Sequence, residues 1–275
     1  MPHERRQFKN GEIYHIITRR IGNELLFGDI HDYYRGIFSI YEFNNSNPVE
    51  IAKRRSARAR FKATIKQSEQ SRGGLPSANF AEGSPPLLCC PSLLLETDKR
   101  EKLVEVLVFC LMPNHIHLLL RQIEDNGISR FMLKFGSGYS IYFKTRYQTK
   151  LKGHFFQDRF KAVHIESDDQ LKIVFVYIHT NPIALIEFDW KEKGIANPQK
   201  IIKFLESKYR WSSYWDYLAK KNFPSIIEAE KKFLTDAMGG VDECKKSVRD
   251  WIHHKGEIFK LAQKFDKNKI NLSLE

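Results

Sequence analysis

Two apolar runs separated by a short turn are the strongest feature of the hydrophobic pattern. Residues 104–111 are aliphatic and β-branched, and this run is short enough to form a buried strand. Pro113 and Asn114 are typical of a turn, and residues 115–120 are again largely apolar. The pattern therefore predicts a β-hairpin near the centre of the chain.

Other segments show the periods of strands and helices. Alternating residues predict a strand over 12–20, and a further strand is predicted over 162–165. Apolar residues at intervals of three and four predict helices over 29–43, 128–143, 168–181 and 200–209, and one or two more over 225–266 with an interruption at Gly239 and Gly240. Gly136 and Gly138 either weaken their helix slightly or allow close packing.

The helix predicted over 168–181 has clear start and stop signals. Ser167 and Gln170 form a capping box, and two acidic residues follow Ser167 in the first turn. Pro182 disfavours helical geometry at the preceding residue and ends the helix. Because the segment is apolar on nearly all sides, we expect it to be buried.

Residues 44–100 look like an insertion. They begin with a cluster of helix-breaking residues over 44–48, and six cations follow over 53–62. Residues 67–91 are rich in Ser, Gly and Pro without a period, which predicts disorder or a long surface loop. The basic run is either an arm that touches nucleic-acid phosphates or a solvated linker. We expect one catalytic unit over 1–220 with this insertion, and a helical C-terminal extension over 221–275.

Charge and composition narrow the class of protein. The chain of 275 residues has a formal net charge of +12, which suggests a polyanionic partner such as nucleic acid, although a merely basic soluble protein remains an alternative. Its four cysteines have no zinc-binding spacing, and Cys110 is expected to be a buried thiol. Without a signal peptide or an apolar run near 20 residues, we expect a soluble cytoplasmic protein with no membrane partner.

Two histidines in the predicted hairpin are candidates for metal ligands. Side chains alternate across a strand, so His115 and His117 share one face. Neutral imidazoles side by side on a rigid strand suit a divalent metal, but a pair of hydrogen-bonded histidines would look the same in sequence. His15 shares a face with Ile13 and Ile17, which favours a packed or hydrogen-bonded histidine over a ligand.

The buried helix offers a second pair of candidates. Tyr177 and Asn181 are four residues apart, so they lie one helical turn apart on the same face. One interpretation is a core tyrosine whose hydroxyl bonds to the backbone. The other is a hydroxyl nucleophile beside an amide ligand, with His115, His117 and Asn181 holding a metal that keeps open positions for a phosphate oxygen and water.

Five blocks of sequence, in order, resemble the single-tyrosine HUH transposases, especially the REP-associated tyrosine transposases. The blocks are YHIITRR at 14–20, LMPNHIHL at 111–118, GHFFQDRFK at 153–161, YIHTNP at 177–182 and YRWSSY at 209–214. The resemblance covers roughly residues 11–43 and 101–216. The insertion at 44–100 and the extension after about 220 depart from the compact family pattern.

The resemblance implies a fold, a chemistry and roles for four residues. The expected fold is α+β, a central antiparallel sheet of ferredoxin-like or HUH type with helices packed on it. Tyr177 would be the nucleophile, and His115, His117 and Asn181 would bind Mg²⁺ or Mn²⁺. The implied enzyme is a transposase-like strand transferase that cleaves and rejoins single-stranded or hairpin DNA through a 5′-phosphotyrosine link. Monomer and homodimer are both open.

A set of basic residues and one tryptophan are the candidates for DNA contacts, since guanidinium and ammonium groups pair with phosphates and aromatic rings stack on bases. They are Arg19, Arg20, Lys144, Arg146, Arg159, Lys161, Arg210 and Trp211. Tyr214 is a further aromatic candidate if it is exposed.

Two other functions and three other tyrosines compete with this interpretation. The fold could serve a non-catalytic protein that binds hairpin DNA, or a metal-dependent RNA nuclease in which Tyr177 is structural. Tyr139, Tyr142 and Tyr147 are rival nucleophiles. Tyr139 and Tyr142 lie on the apolar stripe of their helix, so we interpret them as core residues.

Overall fold

The computed structural model describes residues 7–49, 100–149, 153–157, 159–227 and 230–272, with the backbone alone from 258 to 272. Most of the predicted insertion, including its basic run at 53–62 and the Ser-, Gly- and Pro-rich stretch at 67–91, lies outside the described residues. The proposed division at residue 220 stays a prediction.

Within the described residues, a single antiparallel sheet forms the centre of the fold. Its four strands lie in the order β2-β3-β1-β4. They are β1 (Ile13–Arg19), β2 (Val104–Met112), β3 (His115–Gln122) and β4 (Lys161–Ile165). Helix α1 (Ile30–Glu42) lies between β1 and β2, helix α2 (Gly127–Tyr147) lies between β3 and β4, and helix α3 (Asp168–Thr180) follows β4. The resulting order, βαββαβ, is that of a ferredoxin-like fold. The predicted α+β fold class is confirmed.

The register of the sheet places the histidines of β3 between two neighbouring strands. His117 faces Ile17 of β1 on one side and Cys110 of β2 on the other. His115 lies at the end of both ladders, opposite Arg19 and Met112. Facing residues in antiparallel strands share a sheet face, so these side chains all project on one side.

Local signals in the sequence account for the ends of the helices. The Asp29 carboxylate accepts hydrogen bonds from the backbone N–H groups of His31 and Asp32 and caps α1. Ser167 accepts from the N–H of Gln170 and caps α3, as the capping box predicts. After α3, a short 3-10 helix from Asn181 to Leu185 carries Pro182 in its first turn.

The expectation that α3 is buried on nearly all sides is wrong in part. Its Phe175 and Ile178 are fully buried, but Ile173 is 67% exposed. The reason is that α3 packs against β2 and against the C-terminal helices, and the side between these contacts faces solvent. The nucleophile candidate Tyr177 lies half-buried at the margin of the covered side.

Helices make up the C-terminal part of the described chain, as predicted. They are α4 (Trp190–Lys193), α5 (Pro198–Ser207), α6 (Tyr214–Tyr217), α7 (Pro224–Ile227), α8 (Lys231–Met238) and α9 (Val241–Leu272). Gly239 ends α8 in the left-handed conformation, with φ of 91°. Helix α9 contacts α3, α4 and α5, so the extension packs against the helix that carries Tyr177.

The segment before α6 closes the edge of the sheet. The N–H of Leu111 donates to the carbonyl of Trp211 at 2.9 Å, and the N–H of Ser213 donates to the carbonyl of Phe109 at 3.0 Å. Tyr209 also donates its hydroxyl to the carbonyl of Leu111. This pairing satisfies backbone groups that an edge strand would otherwise expose. Among the helices that the structure describes, none is long and apolar enough to cross a membrane.

Substitution of alanine at the two glycines of α2 should have opposite effects on stability. A Cβ at Gly138 would overlap the ring of the buried Phe43, whereas a Cβ at Gly136 would lie 3.6 Å from Phe156, an ordinary contact. Gly138→Ala should therefore lower the free energy of unfolding by about 1–3 kcal/mol, and Gly136→Ala should raise it by about 0.5–1 kcal/mol through helix propensity. Urea denaturation of both variants checks this; equal effects of the same sign would contradict the packing.

Candidate active site

Three histidines lie together on one face of the sheet. The Nε2 atom of His15 on β1 is 3.0 Å from the Nδ1 atom of His117 on β3. The ring centres of His115 and His117 are 4.9 Å apart. The interpretation of His15 as a hydrogen-bonded histidine is confirmed, and its partner is one of the two candidate ligands.

Hydrogen bonds to the Nδ1 atoms fix how the two candidate ligands present their rings. The amide nitrogen of Asn114 donates to Asn23, so the Asn114 carbonyl oxygen accepts from Nδ1 of His115 at 2.6 Å. The Nε2 atom of His117 is buried and has no hydrogen-bond partner among the residues that the structure describes. When the Nδ1 of His117 donates to His15, the Nε2 of His117 carries a lone pair and no proton. The opposite tautomer would leave a buried N–H group without an acceptor, which costs free energy. Metal-binding histidines commonly have their second nitrogen engaged in this way.

Burial keeps these imidazoles neutral at physiological pH. It lowers the pKa of His15 and of His115 to about 4, and it lowers the pKa of His117 well below 6.5. The positive charges of Arg19 and Lys191 add to the lowering of the pKa of both His115 and His117. Because only the neutral ring offers a lone pair, the protonation state suits metal binding.

Tyr177 packs against this histidine cluster. Its ring centre lies 5.7 Å from that of His117 and 5.9 Å from that of His15, in both cases edge to face. Its hydroxyl makes no hydrogen bond to any residue that the structure describes, so the alternative in which it bonds to the backbone is wrong. The hydroxyl is therefore not engaged by another described residue, and the ring that carries it lies beside the two histidines.

The rival tyrosines all have engaged hydroxyl groups. Tyr139 is fully buried and donates to the carbonyl of Leu26 at 2.8 Å, which confirms it as a core residue. Tyr142 and Tyr147 both bond to the carboxylate of the buried Asp32, at 2.8 and 2.6 Å. Tyr177 differs from all three in having no hydroxyl partner within the described chain.

Asn181 lies one turn beyond Tyr177 and is buried. Its amide nitrogen donates to the carbonyl of Tyr177 at 2.8 Å, which leaves the amide oxygen as an acceptor. In the described part of the chain, no group of three or more His, Cys, Asp or Glu side chains could hold a metal ion. A metal on His115 and His117 would therefore need other oxygen ligands, and the Asn181 amide, a phosphate and water are of the type that Mg²⁺ and Mn²⁺ accept. By the chemical type of these donors, two imidazoles and several oxygens, such an ion could be held here.

The basic DNA-contact candidates fall into two groups. Some are exposed or half-exposed and make no ion pair with the described residues: Arg19, Lys144, Arg159 and Lys161. The others are engaged within the fold. Arg20 is buried and pairs with Glu24 at 2.5 Å, Arg146 pairs with Asp32 at 2.8 Å, and Arg210 lies over aromatic rings. Their roles in DNA contact stay predictions.

The aromatic candidates are less exposed than the sequence suggests. Trp211 is half-buried and stacks on Tyr33, with ring centres 4.8 Å apart. Tyr214 is only 1% exposed, so the expectation that it could be an exposed stacking residue is wrong. The pairing of residues 211–213 with β2 turns Tyr214 inward, where its ring meets that of His179. Phe188, which no periodic pattern singles out, is 87% exposed.

Part of the chain is similar to a known protein family. Residues 92–181 match the family model described as "Transposase IS200 like". These residues, which we call the IS200-like segment, are therefore similar to that family over about a third of the chain. This segment begins before β2 and ends on Asn181, so it contains His115, His117 and Tyr177.

The other comparisons add little to the IS200-like assignment. A solved structure of a REP-associated tyrosine transposase bound to a REP hairpin has 11% sequence identity, and the alignment covers 82% of this chain and 90% of that one. Its TM-score of 0.38 is too low to bear on the chemistry of this chain. No match was found among curated proteins.

The buried histidines of the IS200-like segment and of β1 should make stability depend on pH. Burial lowers the pKa of His15 to about 4 and that of His179 to about 3. As pH falls below about 6.5, these histidines become protonated in the unfolded chain but stay neutral in the folded chain. The free energy of unfolding should therefore decrease from pH 6.5 toward pH 4. Thermal melting in EDTA between pH 7.5 and 4.5 measures this. A melting temperature that is constant or rises on acidification would contradict it.

Proposed function

We propose that the chain cleaves and rejoins single-stranded or hairpin DNA through a covalent bond to Tyr177. The proposal is carried by one observation: the Tyr177 ring packs against the histidine cluster, with its centre 5.7 Å from that of His117, and its hydroxyl has no partner among the described residues. It is supported by the position of both residues inside the IS200-like segment and by the net charge of +12, which suits a polyanionic substrate.

The reaction is a transesterification at one phosphate of the strand. The Tyr177 oxygen attacks phosphorus, the phenolic proton is lost, and the bond from phosphorus to the 3′ oxygen breaks. The products are a 5′-phosphotyrosine link and a free 3′-OH. The same 3′-OH, or one from another strand, attacks the link in reverse. One phosphate ester replaces another in each step, so rejoining needs no ATP.

The residues that would hold a divalent metal are His115, His117 and Asn181. A bound Mg²⁺ or Mn²⁺ would neutralise charge that develops on the attacked phosphate. His15 orients the ring of His117 through the 3.0 Å hydrogen bond between their nitrogens. Its low pKa of about 4 keeps His15 able to accept that bond at neutral pH.

The first test is covalent capture. Because the Tyr177 hydroxyl has no partner, Tyr177→Phe should keep its stability and bind hairpin DNA, yet form no protein–DNA adduct. Tyr142→Phe, which loses a bond to Asp32, should still form one. Each variant is incubated with labelled hairpin DNA and magnesium and run on a denaturing gel, with a blunt duplex of equal length as the second substrate.

The same gel separates the competing functions. An adduct from Tyr177→Phe at wild-type intensity would refute the assignment of the nucleophile. Binding of hairpin DNA by the wild-type protein without an adduct would favour the non-catalytic binder. Cleavage of RNA with no adduct would favour the metal-dependent nuclease.

The second test concerns the metal. His117→Ala should abolish adduct formation and weaken Mn²⁺ binding, measured by titration calorimetry, whereas His31→Ala should do neither. His31 is a suitable control because its side chain is exposed at the start of α1. Excess EDTA should stop the wild-type reaction, and added magnesium should restore it. Full activity in EDTA, or unchanged Mn²⁺ affinity in His117→Ala, would rule out the metal role.

A further inference from the structure

The short helix α4 is fixed in position by the C-terminal extension. Trp190, its first residue, is buried and packs edge to face on Trp251 of α9, with ring centres 5.3 Å apart. Just after α4, the N–H of Ile195 donates to the carbonyl of Lys255 at 3.1 Å. The backbone at Lys191 is therefore held between two attachments to α9.

Lys191 extends from this helix to the candidate active site. Its Nζ atom lies 5.9 Å from the ring centre of Tyr177. After burial, its charge is among the causes that lower the pKa of His115 and of His117. The 5.9 Å distance places one ammonium group beside the nucleophile candidate.

The charge of Lys191 is not neutralised by any carboxylate that the structure describes. Its neighbour Lys193 differs, since it pairs with Asp189 at 2.8 Å. A cation beside the phenol of Tyr177 attracts anions. The side chain is exposed, so a ligand can reach it.

We propose that Lys191 binds a non-bridging oxygen of the phosphate that Tyr177 attacks. This inference rests on the proposed function and adds a residue that no motif in the sequence marks. The ammonium transfers no atom: it stabilises the charge on the phosphoryl oxygens while the bond to Tyr177 forms and the bond to the 3′ oxygen breaks. An ammonium is a compact point charge on a flexible stem, which suits a phosphate approached from the solvent side.

The test compares two lysines of the same helix. Lys191→Gln and Lys193→Gln each remove one positive charge from α4, so general electrostatic attraction to DNA falls equally. Single-turnover adduct formation on labelled hairpin DNA should slow by about 10²-fold or more in Lys191→Gln and by less than about threefold in Lys193→Gln. Lys191→Arg should recover much of the rate because it restores the charge.

Two further readouts exclude a structural effect. The melting temperature should be the same in Lys191→Gln and in the wild type, because Lys191 is exposed. The affinity for Mn²⁺ should be equal or higher in Lys191→Gln, because a neighbouring positive charge has been removed and no ligand is lost; a lower affinity would indicate a structural effect and would contradict the inference. Hairpin affinity, measured in the Tyr177→Phe background, should fall similarly for Lys191→Gln and Lys193→Gln.

The outcomes separate this inference from the proposed function. If the wild type forms an adduct and the two glutamine variants react at equal rates, Lys191 has no special role. The inference is also wrong if Lys191→Gln lowers affinity alone, or if Lys191→Arg is as slow as Lys191→Gln at wild-type stability. If the wild type forms no adduct at all, the proposed function fails and the inference fails with it.

Discussion

The hydrogen bond between His15 and His117 is the constraint on which the candidate site depends. It joins neighbouring antiparallel strands diagonally, since His15 itself faces Leu119 and His117 faces Ile17. A slip of one residue between β1 and β3 would turn one histidine to the other face of the sheet. The register that buries the core thus also selects the nitrogen of His117 that remains unpaired.

A second polar centre, on Asp32, explains why two of the three rival tyrosines, Tyr142 and Tyr147, are not available as nucleophiles. This fully buried carboxylate accepts from Tyr142, Tyr147 and Arg146. A buried charge must be paired and hydrogen-bonded to be tolerated, so Tyr142, Tyr147 and Arg146 are needed to stabilise the Asp32 carboxylate in the folded protein. Tyr177 lies at the margin of α3, where its ring is packed and its hydroxyl has no such role.

Local pattern predicted most of the fold and the residue types of the site. The hairpin over 104–120, the cap at Ser167 and the break at Gly239 all follow from short-range chemistry, and the observed bounds differ by one or two residues. The single antiparallel sheet was predicted only through the family resemblance, and the order of its strands was not predicted at all. Which face of α3 is covered could not be predicted, because Ile173 is exposed by the arrangement of distant helices.

The unpredicted parts of the site depend on contacts between distant segments. The bond from His15 to His117 spans 102 residues, and Lys191 reaches Tyr177 from a separate helix. Tyr214 was expected at the surface because loops are usually exposed, but pairing along β2 turns it inward. No pattern within a window of a few residues carries such information.

The packing of α9 has a consequence for local unfolding of the protein. Helix α9 contacts both α3, which carries Tyr177, and α4, which carries Lys191. Since α9 contacts both helices, local unfolding of α9 and ordering of the candidate active site are thermodynamically linked. If DNA occupies that site, amide hydrogen exchange in α9 should slow. By thermodynamic reciprocity, a ligand that binds α9 would change the affinity for DNA by the same factor by which DNA changes the affinity for that ligand. The extension would thus be a place from which access to the chemistry could be regulated.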